Sequence, residues 1–308
     1  MAGVRSVALL VTSPQLLGPA TVRELADRSG IRPTKRWGQN FVIDANTVRR
    51  IVRLAEVDSG DVVLEVGPGL GSLTLGLLEA NADVVAVEID PVLARALPET
   101  VAIHAPDHRQ HLAVLNRDAL RLERADMDDL DEADLYGGGR QPAAFVANLP
   151  YNVAVPVLLH LLAEFESLQH GLVMVQWEVA ERLAAPPGGR TYGVPSVKAA
   201  WYADVTQQGR VPRSVFWPVP NVDSGLVGFR RRPAPTTAAP RAEVFACIDA
   251  AFAQRRKTLR SSLARWAGGT DAVDASLLAA GVDPKLRAER LSVDQFAAIA
   301  EHRPAADP

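Results

Sequence analysis

The stretch Asp61-Val-Val-Leu-Glu-Val-Gly-Pro-Gly-Leu-Gly71 decides the fold of this chain. Its first six residues are a short, mainly apolar run, the glycines after them predict a tight turn, and helical spacing follows from Ser72 to Glu79. A second apolar run, Asp83 to Ile89, predicts the next strand. A strand, a crossover helix and another strand make a βαβ unit, which predicts a parallel sheet at the centre of the fold.

Strand and helix patterns continue on both sides of this unit. Further helices are predicted at residues 20–28, 46–55, 155–165 and 177–183, and further strands at residues 113–115, 143–147, 171–176 and 224–229. Strands that alternate with helices predict an α/β fold with a doubly wound sheet. After residue 232 the strand signal ends, and helical patterns continue to the end of the chain.

The length of 308 residues is enough for one large domain and one smaller domain. Residues 233–240 are rich in proline, alanine and threonine, which is the composition of a linker. We therefore predict four parts: an N-terminal helical extension at 1–30, a Rossmann-like α/β domain at 31–232, a linker at 233–240 and a small all-helical domain at 241–308.

Composition predicts a globular, cytoplasmic protein with no membrane association and no metal. The first apolar run, Val7 to Val11, is followed by Ser13-Pro14, so it is too short for a membrane span or a signal sequence. The single cysteine, Cys247, lies in an apolar periodic segment. It is therefore predicted to be a core residue, and neither a disulfide nor a thiolate metal cluster is expected.

The net charge of −3 does not favour RNA binding, but the charges are segregated along the chain. Acidic residues are concentrated between Asp126 and Asp134, in a predicted solvated loop that runs into Gly137-Gly138-Gly139. Local patches decide where a polyanion binds. Basic residues form three clusters: Arg32, Lys35 and Arg36; Arg230, Arg231 and Arg232; and Arg255, Arg256, Lys257 and Arg260, the last predicted on one helical segment.

The glycine turn predicts a nucleoside site. Gly67 and Gly69 let the backbone approach a ligand closely, and Gly71 opens a helix whose N-terminus can receive a carboxylate. Glu88, at the end of the next strand, can accept hydrogen bonds from both ribose hydroxyls. The Gly-x-Gly-x-Gly spacing favours S-adenosylmethionine over a dinucleotide, although a turn without a ligand is the alternative. Asp118 is placed to accept a bond from the cofactor's adenine amine, or equally to cap a helix.

The tetrapeptide Asn148-Leu149-Pro150-Tyr151 follows a predicted strand, at the edge where α/β sheets bind ligands. An exocyclic amine is a poor nucleophile because its lone pair is delocalised into the base, so a catalyst should accept hydrogen bonds from both N–H groups. Asn148 Oδ1 and the Leu149 carbonyl, held extended by Pro150, offer two acceptors. Tyr151 offers a face for stacking an extruded base. The alternative is a structural turn with a packed tyrosine.

With these motifs the chain resembles the ribosomal RNA adenine dimethylases over nearly its whole length, most closely the bacterial small-subunit type. The segments that carry the resemblance are Gly38-Gln39-Asn40-Phe41, Glu65–Gly71, Val87–Asp90, Asn148–Tyr151, Gln176–Arg182, Phe216–Ser224 and Gln254–Arg260. The departures are the acidic insertion before Ala143, Trp177 and Trp217 within otherwise matching motifs, and a proline-rich tail.

The resemblance implies a Rossmann-like methyltransferase domain that uses S-adenosyl-L-methionine, followed by a helical RNA-binding domain. The implied reaction is N6,N6-dimethylation of two adjacent adenines near the 3′ end of 16S rRNA in the small (30S) ribosomal subunit, by a monomer. The implied residues are Asn40, Val42, Gly67, Glu88, Asp118 and Asn148 for the cofactor, Tyr151 and Phe216 for the target adenine, and Arg255, Arg256, Lys257 and Arg260 for RNA.

Three alternatives stay open at this point. A large-subunit rRNA adenine methylase of the macrolide-resistance type would use the same chemistry, and a DNA adenine methylase is possible in principle. A ribosome-assembly factor would bind RNA without catalysis. From the residues alone, Phe216 is a packed loop aromatic, and the segment Arg255–Arg260 is a solvated basic helix face.

Overall fold

The structure, a computed structural model, describes residues 13–31, 40–128, 130 and 140–304. The basic cluster Arg32, Lys35 and Arg36, the residues Gly38-Gln39 of the N-terminal motif and most of the acidic insertion lie outside the described residues. Within the described ranges, none of the helices is both long and apolar enough to span a membrane.

The described residues form nine strands and thirteen α-helices, besides short 3₁₀ helices. The strands are β1 (Phe41–Val42), β2 (Val62–Val66), β3 (Asp83–Val87), β4 (Leu112–Leu115), β5 (Ala144–Asn148), β6 (His170–Gln176), β7 (Ala203–Val211), β8 (Phe216–Trp217) and β9 (Ser224–Arg231). The helices are α1 (Pro19–Arg28), α2 (Ala45–Leu54), α3 (Ser72–Glu79), α4 (Pro91–His104), α5 (Ala125–Asp128), α6 (Ala154–Glu164), α7 (Trp177–Leu183), α8 (Val194–Ala200), α9 (Arg241–Ala253), α10 (Leu259–Ser262), α11 (Ala264–Ala267), α12 (Thr270–Ala279) and α13 (Val293–Glu301).

Seven strands form one sheet in the order β4-β3-β2-β5-β6-β9-β7, and β1 pairs with β8 in a separate two-stranded sheet. Strand β2 is parallel to β3, with Val62 beside Asp83, and parallel to β5, with Val63 beside Ala144. Strand β4 continues this parallel order beside β3. Parallel strands joined by helices are the doubly wound arrangement that the βαβ pattern predicts, so the fold class is confirmed.

Contacts within the chain divide it into two units. The first comprises Met1–Ala154, Glu164–Val173 and Val211–Asp223, and the second comprises Val155–Ala163, Met174–Arg210 and Ser224–Pro308. The four sequence ranges 1–30, 31–232, 233–240 and 241–308 stay a prediction. From residue 232 to residue 304 the described secondary structure is helical, as expected.

The core of the first unit is the parallel sheet and the helix that follows β2. Every residue of β2 and β3 is buried, and so is every residue of α3 except Glu79. In the second unit, helix α9 buries Val244, Cys247 and Ile248. Cys247 is fully buried, which confirms the expectation of a core residue, and burial raises the pKa of its thiol well above its usual range.

Candidate active site

Strands β2 and β5 lie side by side and end at the same edge of the sheet, where the strand order reverses direction along the chain. Ligands of open α/β sheets bind outside the carboxyl ends of the strands at such a point. Gly67 follows β2 and Asn148 ends β5, and the two turns touch. A Cβ added to Gly67 would lie 3.7 Å from Pro150 Cδ and 3.8 Å from the Asn148 carbonyl oxygen.

The glycine turn has the backbone conformation that its sequence predicts. Gly67, Gly69 and Gly71 have φ angles of +69°, +59° and +94°. This left-handed region strongly favours glycine. At Gly69 an added Cβ would also lie 2.8 Å from the Phe41 ring, so space as well as φ demands glycine there. A turn with glycine at three positions beside the switch point fits a nucleoside such as S-adenosylmethionine.

Glu88 follows β3 and is held against the glycine turn. The Gly69 N–H donates to Glu88 Oε2 at 3.2 Å, and the Asp90 N–H donates to Oε1 at 2.9 Å. The side chain is 5% exposed, and this burial raises the pKa of the carboxyl while the two N–H groups oppose the shift. Each oxygen has a further lone pair, so the fixed carboxylate fits the pair of ribose hydroxyls that the sequence predicts as its ligand.

Glu65 is a second buried acid next to the same turn. The sequence analysis predicts no role for this residue. It lies in β2, is 1% exposed, and accepts a hydrogen bond from Thr74 Oγ1 at 2.7 Å. Burial raises the pKa of Glu65 to about 8, and the neighbouring Glu88 carboxylate adds to the shift. The available signal was a carboxylate within an otherwise apolar strand.

Asp118 caps a turn. Its Oδ1 accepts from the Leu120 N–H at 3.0 Å, at the start of the 3₁₀ turn Ala119–Arg121. The capping alternative is therefore what the structure shows, and contact with the cofactor's adenine amine stays a prediction. Nearby Asn116 donates from Nδ2 to the Glu88 carbonyl at 2.7 Å, which links the ends of β3 and β4.

The Asn148 amide is oriented by one hydrogen bond. Nδ2 donates to the Asn40 carbonyl at 2.9 Å. A carbonyl oxygen can only accept, so this bond fixes which end of the amide is the donor and sets Oδ1 on the opposite side. The Pro150 carbonyl accepts from the Val153 N–H at 3.1 Å and closes a turn. The Leu149 carbonyl, one residue earlier, is then the candidate second acceptor.

The two-stranded sheet brings distant predicted residues together. Phe41 pairs with Trp217 and Val42 pairs with Phe216, and the Ile43 N–H extends the pairing to the Val215 carbonyl at 2.9 Å. This sheet and the Asn40–Asn148 bond join the N-terminal motif to the tetrapeptide Asn148–Tyr151. Phe216 is only 1% exposed, so it is the packed aromatic residue that the sequence alone suggests. Tyr151 is half-buried, and contact of either ring with the target adenine stays a prediction.

The basic residues of the second unit do not share one helical segment as expected, because Arg255, Arg256 and Lys257 lie in a turn and Arg260 lies in α10. Residues 255–257 lie between α9 and α10, where the Lys257 N–H donates to the Gln254 carbonyl at 2.8 Å. Arg255 bonds Glu289 and the Arg190 carbonyl, and Arg260 forms two bonds to Asp274 at 2.9 and 3.0 Å. Arg256 and Lys257 are exposed and make no ion pair with the described residues.

Side chains that could bind a metal do not gather at this site. Across the described ranges, no group of three or more histidine, cysteine, aspartate or glutamate side chains is placed to hold an ion. The functional groups that do meet are backbone amides, one carboxylate, one amide and aromatic rings. These groups can bind a nucleoside and can form hydrogen bonds with an uncharged amine.

Comparisons with known proteins match nearly the whole chain. The model of the family "Ribosomal RNA adenine dimethylase" matches residues 31–303. The chain is 63% identical to ribosomal RNA small subunit methyltransferase A of Thermobifida fusca over 290 residues, which is 94% of this chain and 97% of the relative. It is 62% identical to the protein of the same name from Kineococcus radiotolerans over 304 residues, 99% of this chain and 96% of the relative.

Two solved structures resemble most of this chain. The 23S rRNA methyltransferase ErmE is 27% identical with a TM-score of 0.58, over 85% of this chain and 99% of that chain. A dimethyladenosine transferase from Plasmodium falciparum is 20% identical with a TM-score of 0.65, over 84% of this chain and 95% of that chain. The second likeness is one of fold alone.

Proposed function

The chain belongs to the ribosomal RNA adenine dimethylase family, and from that premise we propose that it dimethylates N6 of two adjacent adenines near the 3′ end of 16S rRNA. It is an rRNA adenine dimethyltransferase whose methyl donor is S-adenosyl-L-methionine. We further propose that it acts as a monomer on the small ribosomal subunit, in the cytoplasm, during ribosome biogenesis.

The orientation of Asn148 carries this proposal. An adenine N6 amine has two N–H groups, and the site offers Asn148 Oδ1 and the Leu149 carbonyl at the end of β5, beside the glycine turn. Hydrogen bonds to both acceptors would draw nitrogen out of conjugation with the ring and make its lone pair available for attack. A bound cofactor would supply the methyl group on a positively charged sulfur, and the methylated nitrogen would lose one N–H proton to solvent.

The second methyl transfer makes a different demand. Monomethyladenine has one N–H left, so it uses only one of the two acceptors. Space beside the other acceptor must then hold the first methyl group. We infer that Asn148 and Leu149 take part in both steps, with their roles divided differently in each.

The choice of RNA rests on the relatives. Proteins named as small-subunit methyltransferases share about 60% of their residues with this chain over nearly its full length, whereas the 23S rRNA methyltransferase shares 27%. These identities favour the small subunit over the macrolide-resistance alternative. An assembly factor without catalysis would not need an intact acceptor pair and glycine turn, and this chain retains both.

The test incubates the purified protein with methyl-labelled S-adenosylmethionine and either small subunits that lack the modification or large-subunit RNA. The labelled nucleoside is identified by mass. We expect dimethyladenosine in the small subunit at two adjacent positions. Label in the large-subunit RNA would establish the resistance-type activity instead, and binding without label would leave an assembly factor.

A further inference from the structure

Trp217 is a half-buried aromatic side chain in β8, the strand that pairs with β1. Its ring stacks on Phe41 with the centroids 6.3 Å apart and the planes inclined by 26°. Phe41 in turn packs on Gly69, where an added Cβ would meet the ring at 2.8 Å. The Trp217 ring therefore rests on a fixed support that is continuous with the cofactor turn.

The loop after Trp217 exposes apolar side chains. Val219 is 60% exposed and Val222 is 44% exposed, two of the few large apolar side chains at the surface of the described residues. The same loop is tied to Arg213. The backbone N–H of Arg213 donates to Asp223 Oδ1 at 3.1 Å, and its guanidinium Nη1 donates to the Asn221 carbonyl at 3.5 Å. A guanidinium has five N–H donors, and the bond to Asn221 uses one of them.

We propose that Trp217, with Val219 and Val222, forms a platform on which the base next to the target adenine stacks while the target occupies the Asn148 site. The inference rests on the proposed function. Unpaired RNA bases are held by aromatic faces, and the neighbouring phosphates by arginine. Apolar side chains with a tethered arginine on the same loop provide both kinds of contact, and Trp217 adjoins the site through Phe41, which packs on Gly69 of the glycine turn.

The position of Trp217 links the platform to the site through the glycine turn. Successive residues of a strand point to opposite faces, so Trp217 lies on the face of β8 that carries its pairing partner Phe41, and Phe216 lies on the other face. Phe41 packs on Gly69, and Gly67 of the same turn lies against Pro150, next to Asn148. Two adjacent adenines cannot occupy one catalytic site together, so one must be held outside while the other reacts. Trp217 is accordingly a positioning residue rather than a catalytic one.

The experiment measures kcat and KM on unmethylated small subunits in which one adenine of the pair is replaced by guanine or by uracil, so that the remaining target has a purine or a pyrimidine neighbour. Purines stack more strongly. We expect the wild-type enzyme to prefer guanine over uracil by about fivefold or more in kcat/KM, mainly through KM. Trp217→Ala removes that preference, and Trp217→Phe restores most of it.

Two further measurements distinguish an effect of Trp217 on RNA from an effect on the cofactor and from failure of the proposed function. The Kd for S-adenosylmethionine, measured without RNA, stays within about twofold of wild type in Trp217→Ala if the residue acts on RNA alone. An equal guanine preference in wild type and Trp217→Ala overturns the platform, as does a lack of any preference in the wild type. Failure of the wild-type enzyme to label unaltered small subunits is a different result, because it overturns the proposed function itself.

Discussion

Asn148 uses one end of its amide as an anchor, since Nδ2 donates to the Asn40 carbonyl, and Oδ1 at the other end is the proposed acceptor for the substrate amine. Truncation to alanine removes the anchor and the acceptor together. We expect Asn148→Ala to lower kcat for both methyl transfers by about a hundredfold or more, the scale seen when one preorganised hydrogen-bonding group is lost. Quantifying monomethyl- and dimethyladenosine separately checks both steps.

The matched control is Asn152→Ala, an exposed asparagine in the same turn. It should leave both products near wild-type levels. Near-normal turnover by Asn148→Ala would remove Asn148 from the mechanism, and accumulation of monomethyladenosine in that variant would restrict its role to the second step.

Glu65 makes the stability of the protein depend on pH in a defined direction. Burial raises its pKa from 4.5 to about 8, so between these values the folded state binds more protons than the unfolded state. The free energy of unfolding then falls as pH rises. Glu65→Gln removes the contribution of this carboxyl to the pH dependence. The Oε1 atom of the new glutamine can still accept a hydrogen bond from Thr74 Oγ1. The variant should gain stability relative to wild type by up to about 1 kcal/mol per pH unit.

Denaturant unfolding of both proteins at several pH values between about 5 and 8 measures this difference. The control is the same substitution at an exposed glutamate in the same unit, Glu166→Gln. A constant difference between Glu65→Gln and wild type across that range would show that Glu65 is ionised in the folded protein at neutral pH.

At the scale of elements, the turn between β2 and α3 is the most tightly determined segment of the site. Gly69→Ala places a Cβ against the Phe41 ring at a φ of +59°, so the turn or β1 must move. We expect the affinity for S-adenosylmethionine to fall by about tenfold or more, because the Gly69 N–H that holds Glu88 moves with the turn. Calorimetric titration measures the Kd.

Gly30→Ala separates backbone strain from the clash. Gly30 has a φ of +64°, and nothing lies within 4 Å of its added Cβ. That variant should lose about 1 kcal/mol of stability and keep its cofactor affinity. Equal loss of affinity in both variants would show that general destabilisation, and not the position of the turn, explains the result for Gly69.

The elements that the sequence predicts are those with a strong local period. Strands β2 and β3 and helices α3 and α7 lie within two residues of their predicted bounds. Helix α4 was missed because Pro98 lies in its interior, where proline disfavours a helix. Burial of Leu93, Leu97 and Val101 outweighs that local cost. Edge strand β7 was missed because its polar, glycine-containing sequence has no clear alternation.

At the scale of the whole molecule, the basic turn at 255–257 sets the expected dependence of RNA binding on salt. Arg256 and Lys257 are exposed and make no ion pair with the described residues, whereas Arg260 is engaged by Asp274. We expect the double variant Arg256→Ala/Lys257→Ala to weaken binding to small subunits and to reduce the slope of log K against log salt by about one to two.

Arg260→Ala is the comparison, because it removes a cation that already has an acidic partner. Its effect on the slope should be smaller than that of the double variant. Binding of each variant to small subunits, measured at several salt concentrations, gives the two slopes to be compared. An unchanged slope in the double variant would place the phosphate contacts elsewhere on the protein.

The candidate site was predictable where a local motif carries the chemistry, as at Gly67, Glu88 and Asn148. Pairings between distant segments were not, because a two-residue strand such as β1 or β8 has no period to detect. Ion pairs between distant residues are likewise not predictable from the sequence. The sequence shows that Arg260 is basic, but only the fold shows that Asp274 faces it.

The pairing of position 41 with position 217 also has a consequence for how the protein is made. During translation the N-terminal motif leaves the ribosome long before its partner strand exists. At ordinary elongation rates the interval is about ten to thirty seconds. Nascent chains that end before Trp217 therefore lack the two-stranded sheet that positions Asn40 beside Asn148, so the enzyme that modifies ribosomes completes its own site only after some two-thirds of its synthesis.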